Sequence, residues 1–217
     1  MSEQLSRLLS HASGAIAGAP SESAISSLAT VAGAVRLAGE LSALLADNNG
    51  FYAFESALLV RPLDNERSPL GVLQWNHPRL WRGEYKIDLG RSVYFSEDIF
   101  GIQFCLKDDS IHSFDPETGK FTRVANTLEE WAHLILENHR LRTGWPLAHQ
   151  WQVQHGPLPL GVRLLPKVPF VCNGAFAIEN LYILNDAEGM RFRASLANQL
   201  VGVPDGTAVV FKINRSK

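Results

Sequence analysis

The chain has 217 residues and a formal net charge of −2, with 46% hydrophobic and 19% charged residues. These values are ordinary for a globular protein of one large or two small domains. Because the net charge is slightly negative, the composition offers no field that would attract nucleic acid or an anionic membrane, and we expect neither as a partner. Cys105 and Cys172 lie in apolar runs and are interpreted as buried free thiols.

The amino-terminal segment is rich in alanine and is predicted to be helical. Leu5 and Leu8 have helical spacing, and a second apolar stretch follows a linker that contains glycine and proline. Pro20 and Glu22 interrupt the apolar residues 12–35, and no basic stretch precedes them, which fits neither a secretory signal nor a membrane span. We therefore expect a cytoplasmic protein, with residues 1–36 as an Ala-rich helical segment.

A stronger leucine stripe begins at Leu37 and indicates a helix that ends at the Asn-Asn-Gly of residues 48–50. Residues 51–60 are dense in apolar side chains and are interpreted as the last turn of a helix followed by a strand. Residues 73–81 contain Trp75 and Trp81 on either side of a proline. This pattern predicts a short irregular or helical segment that packs its aromatic rings on the sheet that follows.

Residues 92–124 are the predicted centre of the fold. Three apolar runs of strand length are separated by Glu97-Asp98 and by Lys107-Asp108-Asp109, and the Asp-Pro-Glu-Thr-Gly of residues 115–119 is typical of a tight turn. A returning strand at residues 121–124 completes an antiparallel meander. The predicted class is therefore α+β, with a central β-meander flanked by helices and a C-terminal α/β extension.

Two helices are predicted before a proline-rich connection. Thr127 and Glu130 form a capping-box pattern at the start of one helix, and Pro146 suits the first turn of the next. Residues 156–169 contain four prolines and are interpreted as a rigid extended connection.

The last part of the chain is predicted to mix strands and one helix. Residues 170–184 are interpreted as strands around a turn at Asn173-Gly174, and Asn185 is predicted to cap a helix. Residues 207–214 alternate between apolar and polar side chains, which predicts a last strand. The predicted domain limits are residues 37–143 for the α+β core and residues 144–217 for an extension packed on it.

No motif predicts a catalytic or metal site. Glu129 and His133 are four residues apart on a predicted helix, but no second histidine completes a zinc motif. Carboxylates at predicted strand ends can divide acid and base roles or hold a hard cation, but their turn positions already account for them. These carboxylates are Glu97, Asp98, Asp108 and Asp109. We therefore predict no catalytic residue, no cofactor and no metal.

Several motifs follow one another in an order that is found in a known superfamily. A Leu-rich helix runs into residues 48–58 (NNGFYAFESAL), followed by residues 94–101 (YFSEDIFG), residues 114–119 (FDPETG) and a helix that begins with residues 128–131 (LEEW). This order resembles the SUKH superfamily, which includes Smi/Knr-like regulators and bacterial immunity proteins. The resemblance covers residues 37–138 and includes neither the Ala-rich N-terminus nor the part from residue 144 onward.

The resemblance implies a binding protein rather than an enzyme, because many members look like antidotes that cap a toxin domain, often a nuclease. We therefore predict an immunity protein that neutralises a cognate bacterial toxin by direct binding. Two alternatives stay open: a regulatory scaffold with several protein partners, and a hydrolase that uses Glu97 and Asp98. Since nuclease toxins present basic clefts, acidic turns and aromatic anchors near the meander are the predicted contacts. They are Glu97, Asp98, Asp108, Asp109, Glu117, Trp75 and Trp81.

Overall fold

The computed structural model of the chain describes residues 2–204 and 206–207 and confirms the α+β class. The helices in this part are Glu3–Leu9 (α1), Glu22–Ala32 (α2), Val35–Asp47 (α3), Val72–Trp75 (α4), Leu128–Glu137 (α5), His139–Arg142 (α6), Trp145–His155 (α7) and Asp186–Leu200 (α8). The strands are Phe51–Ala53 (β1), Leu58–Val60 (β2), Val93–Asp98 (β3), Gln103–Lys107 (β4), Ser110–Asp115 (β5), Lys120–Ala125 (β6), Val162–Pro166 (β7) and Leu181–Asn185 (β8). No helix among the described residues is long and apolar enough to cross a membrane. The strand predicted at residues 207–214 lies outside the described residues from 208 onward.

The predicted meander is confirmed as strands β3 to β6 of a six-stranded antiparallel sheet in the order β1-β2-β3-β4-β5-β6. One boundary differs from the prediction, because Glu97 and Asp98 belong to β3 and not to a turn. Glu97 pairs with Gln103 in the register of β3 and β4, and Asp98 pairs with Leu58 of β2. Charged residues are tolerated inside this strand because buried partners meet them, as described below.

The prediction of a helical turn within residues 51–60 is wrong, since this stretch is a β-hairpin. Strand β1 pairs with β2, and the turn between them places Phe54 and Ser56 in the left-handed region, at φ of 52° and 66°. The chain before α2 covers the outer edge of β1: the N–H of Ser13 donates to the carbonyl oxygen of Tyr52 at 2.7 Å. The apolar run is therefore buried strand rather than buried helix, and periodicity alone does not separate the two.

The two faces of the meander bury different helices because side chains alternate along each strand. Val93 and Phe95 face the core formed with α1, α2, α3 and α5, where the Phe95 ring packs edge-on against Trp131 at 5.2 Å. Tyr94 faces the opposite core, which α8 and the predicted aromatic segment cover. The expectation that Trp75 and Trp81 pack on the meander is confirmed, since both belong to this second core.

The capping predictions are confirmed at two helices. The Thr127 hydroxyl accepts the N–H of Glu130 at 3.0 Å at the start of α5. The side chain of Asn185 accepts the N–H of Ala187 at 3.1 Å at the start of α8. Pro146 lies in the first turn of α7, as expected. These local signals depend on a few neighbouring residues, which is why the sequence alone predicts them.

The carboxy-terminal part differs from its prediction in two places. Within the predicted extended connection, β7 forms a two-stranded antiparallel pair with β8. Pro166 lies at the end of β7, where a missing N–H does little harm. Residues 170–180 are not strands, because two short 3-10 helices, Phe170–Cys172 and Ile178–Asn180, fold this loop back on itself.

Candidate functional site

Four fully buried charged residues meet between the sheet and the carboxy-terminal part, and we call them the buried ionic cluster: Arg61, Glu97, Arg163 and Asp186. Nη2 of Arg61 lies 3.0 Å from Oε1 of Glu97 and 2.8 Å from Oδ2 of Asp186. Nε of Arg163 lies 2.8 Å from Oε1 of Glu97. The cluster holds two positive and two negative charges, so it is neutral as a whole.

Neutral groups complete the surroundings of Glu97. Gln103 donates from Nε2 to Oε2 of Glu97 at 2.6 Å, and Trp75 donates from Nε1 to Oε1 of Gln103 at 2.9 Å. The Arg61 guanidinium lies 3.4 Å from the centroid of the Trp75 ring. Trp75, predicted as an anchor for a partner, therefore packs against the cluster and is fully buried.

The cluster fixes the protonation of its carboxylates in different ways. Burial alone would raise the pKa of Glu97, but the charges of Arg61 and Arg163 and the hydrogen bond from Gln103 hold it below its usual value. Burial raises the pKa of Asp186, and the nearby charge of Glu97 adds to this against the attraction of Arg61. The same cluster therefore shifts the pKa values of its two carboxylates in opposite directions.

The expectation that Glu97 and Asp98 are free at a strand end is wrong. Glu97 is 1% exposed and Asp98 6% exposed. Oδ1 of Asp98 accepts the N–H groups of Phe100 at 2.9 Å and of Ile102 at 2.8 Å, so this carboxylate shapes the β3–β4 turn. Burial raises the pKa of Asp98 to about 7, against these two N–H donors and the charge of Arg193. Both carboxylates are buried and already engaged by protein groups, so the structure gives no support to a hydrolytic role for this pair.

Glu117 and Trp81 are also buried rather than presented to solvent. Oε2 of Glu117 accepts the N–H of Val171 at 2.9 Å, which ties the β5–β6 turn to the loop of residues 167–180. Trp81 packs edge-on against Tyr94, with ring centroids 4.9 Å apart. Both residues stabilise the fold at positions where the sequence suggested contacts with a partner.

Asp108 and Asp109 are the two predicted contact residues that lie at the surface. Their backbones are left-handed, with φ of 50° and 53°, which is the geometry that aspartate tolerates in a two-residue hairpin turn. Nζ of Lys107 lies 3.2 Å from Asp108, and Nη2 of Arg36 lies 3.3 Å from Asp109. They meet solvent at the end of the meander opposite to Glu117.

An apolar surface that the sequence did not reveal lies beside the β3–β4 turn, and we call it the Phe170–Phe176 patch. It consists of Val168, Phe170, Val171 and Phe176. The two phenyl rings stack with centroids 4.0 Å apart and planes 4° apart, and the Phe176 side chain is 67% exposed. The Phe100 ring packs edge-on against Phe170, with the ring centroids 5.3 Å apart.

Hydrogen bonds from Asn180 connect the two sides of the loop that carries the patch. Asn180 donates from Nδ2 to the carbonyl oxygens of Val168 and Ala175, both at 3.0 Å, and accepts the N–H of Val168 at 2.8 Å. A Cβ at Gly174 would overlap the carbonyl oxygen of Val168, so glycine is required there. No periodic pattern marks such a loop; the combination of prolines, Asn-Gly and phenylalanines was its only signal.

The arrangement of possible metal ligands gives little indication of function. Within the described part of the chain, no group of three or more His, Cys, Asp or Glu side chains is arranged to hold a metal ion.

No family model and no curated protein matches the sequence. The crystal structure of Atu4351 from Agrobacterium tumefaciens is similar, with a TM-score of 0.54 and 11% identity over 86% of each chain. At this identity the likeness concerns the fold alone, and the SUKH resemblance stays a prediction from sequence.

Proposed function

We propose that this chain is a non-catalytic cytoplasmic binding protein that neutralises a cognate bacterial toxin domain by direct contact. The SUKH resemblance supports the class, and the Phe170–Phe176 patch is the observation that carries the proposal. Large exposed aromatic side chains held in fixed positions dominate the affinity of many protein interfaces. The patch is built around such a pair.

The supporting loop makes the patch suitable for tight binding. Ordering side chains and loops on association costs free energy, and a surface already ordered in the free protein avoids that cost. Here Asn180 and Glu117 fix the loop by hydrogen bonds from both sides. Exposed contiguous apolar patches on folded proteins mark sites of interaction with a partner.

The charged part of the predicted surface is smaller than the sequence suggested. Of the five predicted acidic contacts, Asp108 and Asp109 alone are exposed, and an ion pair already engages each of them. These two residues can steer a basic toxin domain during encounter, whereas the phenylalanine pair slows its dissociation.

The proposal expects the cognate toxin domain to be encoded beside the gene for this chain, and the test uses that domain with its own catalytic residue intact. We expect a 1:1 complex by size-exclusion chromatography with light scattering, and growth of cells that produce both proteins. We expect Phe176→Asp to remove protection. Phe192→Asp changes an exposed phenylalanine on α8 outside the patch, and this variant should still protect the cells. Growth arrest despite equal amounts of parent protein, with no complex, would refute the proposal.

A further inference from the structure

A cavity of about 390 Å³ lies between helix α2, helix α4 and the segment before β3. Its size falls in the range of small-molecule sites, roughly 300–1,000 Å³. Val31 of α2, Leu73 and Pro78 provide the accessible apolar lining, whereas Leu28, Val72 and Val93 lie beneath it and are buried in the core. Helix α2, which the SUKH resemblance does not include, thereby closes the site.

The polar lining of this cavity is basic without an acidic counterpart. Arg82, Arg91 and His77 line it, and no aspartate or glutamate does. The chain as a whole has 22 acidic and 20 basic residues apart from histidine, so this one-sided lining does not follow from composition. Such a lining selects for a negatively charged ligand.

Arg82 gives the lining a positive charge that no nearby carboxylate neutralises among the described residues. It is half-buried, and its hydrogen bonds go to neutral acceptors: Oδ1 of Asn76 at 3.0 Å, and the carbonyl oxygens of Ser92 at 2.5 Å and of Gly90 at 3.1 Å. No described carboxylate lies within ion-pair distance of it. Burial lowers the pKa of Arg82, and the groups that oppose this, Tyr94 and the Cys105 thiol, are neutral at pH 7.

Three other buried arginines show the difference. Arg61 and Arg163 each lie within 3.0 Å of a carboxylate oxygen. Arg193 makes no direct ion pair, but its charge acts on the nearby Asp98 and Glu117. Arg82 has no such compensation from described residues, and a desolvated cation without a counter-charge is costly.

We propose that this cavity binds a small molecule that carries a carboxylate on a compact apolar body. The carboxylate lies at the basic rim on the planar guanidinium of Arg91, which makes no hydrogen bond to a described residue. Nη1 and Nη2 of Arg82 already donate to Asn76, Ser92 and Gly90, so Arg82 contributes its charge rather than its donors. The apolar body lies against Val31, Leu73 and Pro78, the lining residues whose apolar surface is accessible. The site is separate from the Phe170–Phe176 patch and does not depend on the proposed partner.

Titration of the ¹⁵N-labelled full chain with octanoate, followed by amide NMR shifts, tests the proposal. We expect saturable shifts concentrated at residues 76–77 and 90–93, and much smaller shifts with octylammonium or inorganic phosphate at equal concentration. Arg91→Gln weakens octanoate binding by about tenfold, the effect of losing one charge-assisted hydrogen bond. Arg67→Gln, an exposed arginine that does not line the cavity, leaves it unchanged.

A second pair of variants tests the cavity without substituting Arg82, because the hydrogen bonds of Arg82 stabilise the local structure. Val31 is 48% exposed at the rim, so Val31→Asp places a negative charge there without emptying the core and abolishes octanoate binding. Val35→Asp makes the same change at a 77% exposed position outside the cavity and has no effect. Equal shifts with octanoate and octylammonium, full reproduction by phosphate, or no saturation by about 10 mM octanoate would each overturn the proposal.

Discussion

The acidic side chains at the two ends of the meander differ in their exposure to solvent. At the end formed by the β3–β4 and β5–β6 turns, Asp98 and Glu117 are buried and accept backbone N–H groups. At the other end, Asp108 and Asp109 are exposed in a left-handed turn. The difference comes from the carboxy-terminal part, which covers the first end and leaves the second to solvent. Acidic residues at strand ends are thus structural wherever a later part of the chain packs over them.

The largest effect is expected at the covered side, from the Glu97→Gln substitution. Removing this charge leaves Arg163 without a carboxylate partner and Arg61 with Asp186 alone. Breaking a buried ion pair in this way destabilises a protein by about 3–5 kcal/mol. Urea unfolding followed by circular dichroism measures the change. Asp108→Asn at the exposed end should change the free energy of unfolding by less than about 0.5 kcal/mol, and equal effects at both positions would contradict the comparison.

The second effect is a pH dependence due to Asp98. Its pKa is about 7 in the folded protein, compared with an ordinary value of 3.8. The folded state therefore binds more protons between these values, and the free energy of unfolding falls as the pH rises from 4 to 7. Asp98→Asn keeps an oxygen acceptor but cannot ionise, so the variant should gain stability relative to the parent over this window. Parallel stability curves for the two proteins from pH 4 to 8 would show that Asp98 does not titrate in this way.

Glu97 gives a dependence of the opposite sign at lower pH. Its pKa is held below the ordinary value of 4.5, so the unfolded state takes up the proton first. The stability that Glu97 contributes is complete above pH 4.5 and is lost as the pH falls through its folded pKa. Comparison of Glu97→Gln with the parent below pH 4.5 should show the difference in stability shrinking. A difference that stays constant down to pH 2 would contradict the assignment.

A more local effect is expected from Glu117→Ala. The N–H of Val171 loses its acceptor, which costs about 1–3 kcal/mol if the group stays buried and otherwise opens the loop. Hydrogen exchange should become faster at residues 168–176 while the strands of the meander keep their protection. Glu179→Ala, an exposed position next to Asn180, provides the matched control.

The smallest effect is expected from removing both exposed carboxylates. Asp108→Asn with Asp109→Asn keeps residues that tolerate the left-handed turn and removes two surface ion pairs. Stability should change by less than about 1 kcal/mol. Binding of a basic toxin domain should become slower at low salt and match the parent at high salt, as stopped-flow measurements can show. A large loss of affinity at high salt would place these residues inside the interface.

Local chemistry explains what the sequence could predict. The meander, the cap at Thr127 and the cap at Asn185 depend on neighbouring residues, and the structure confirms them. The buried ionic cluster could not be predicted, because Arg61 and Asp186 are 125 positions apart and the polarity of Glu97 indicated a turn. The Phe170–Phe176 patch depends on hydrogen bonds from Asn180 and Glu117, which no periodicity encodes.

One measurement tests the proposed partner surface most directly: the affinity of the proposed cognate toxin domain for Phe176→Ala, measured by calorimetry at 25 °C beside the parent and Phe192→Ala. A phenylalanine that anchors an interface contributes about 2 kcal/mol or more, so Phe176→Ala should bind at least about thirtyfold more weakly while Phe192→Ala binds like the parent. Both variants should unfold at nearly the parent temperature, because both side chains are exposed. Equal affinities for all three proteins would contradict the assignment of binding to the Phe170–Phe176 patch.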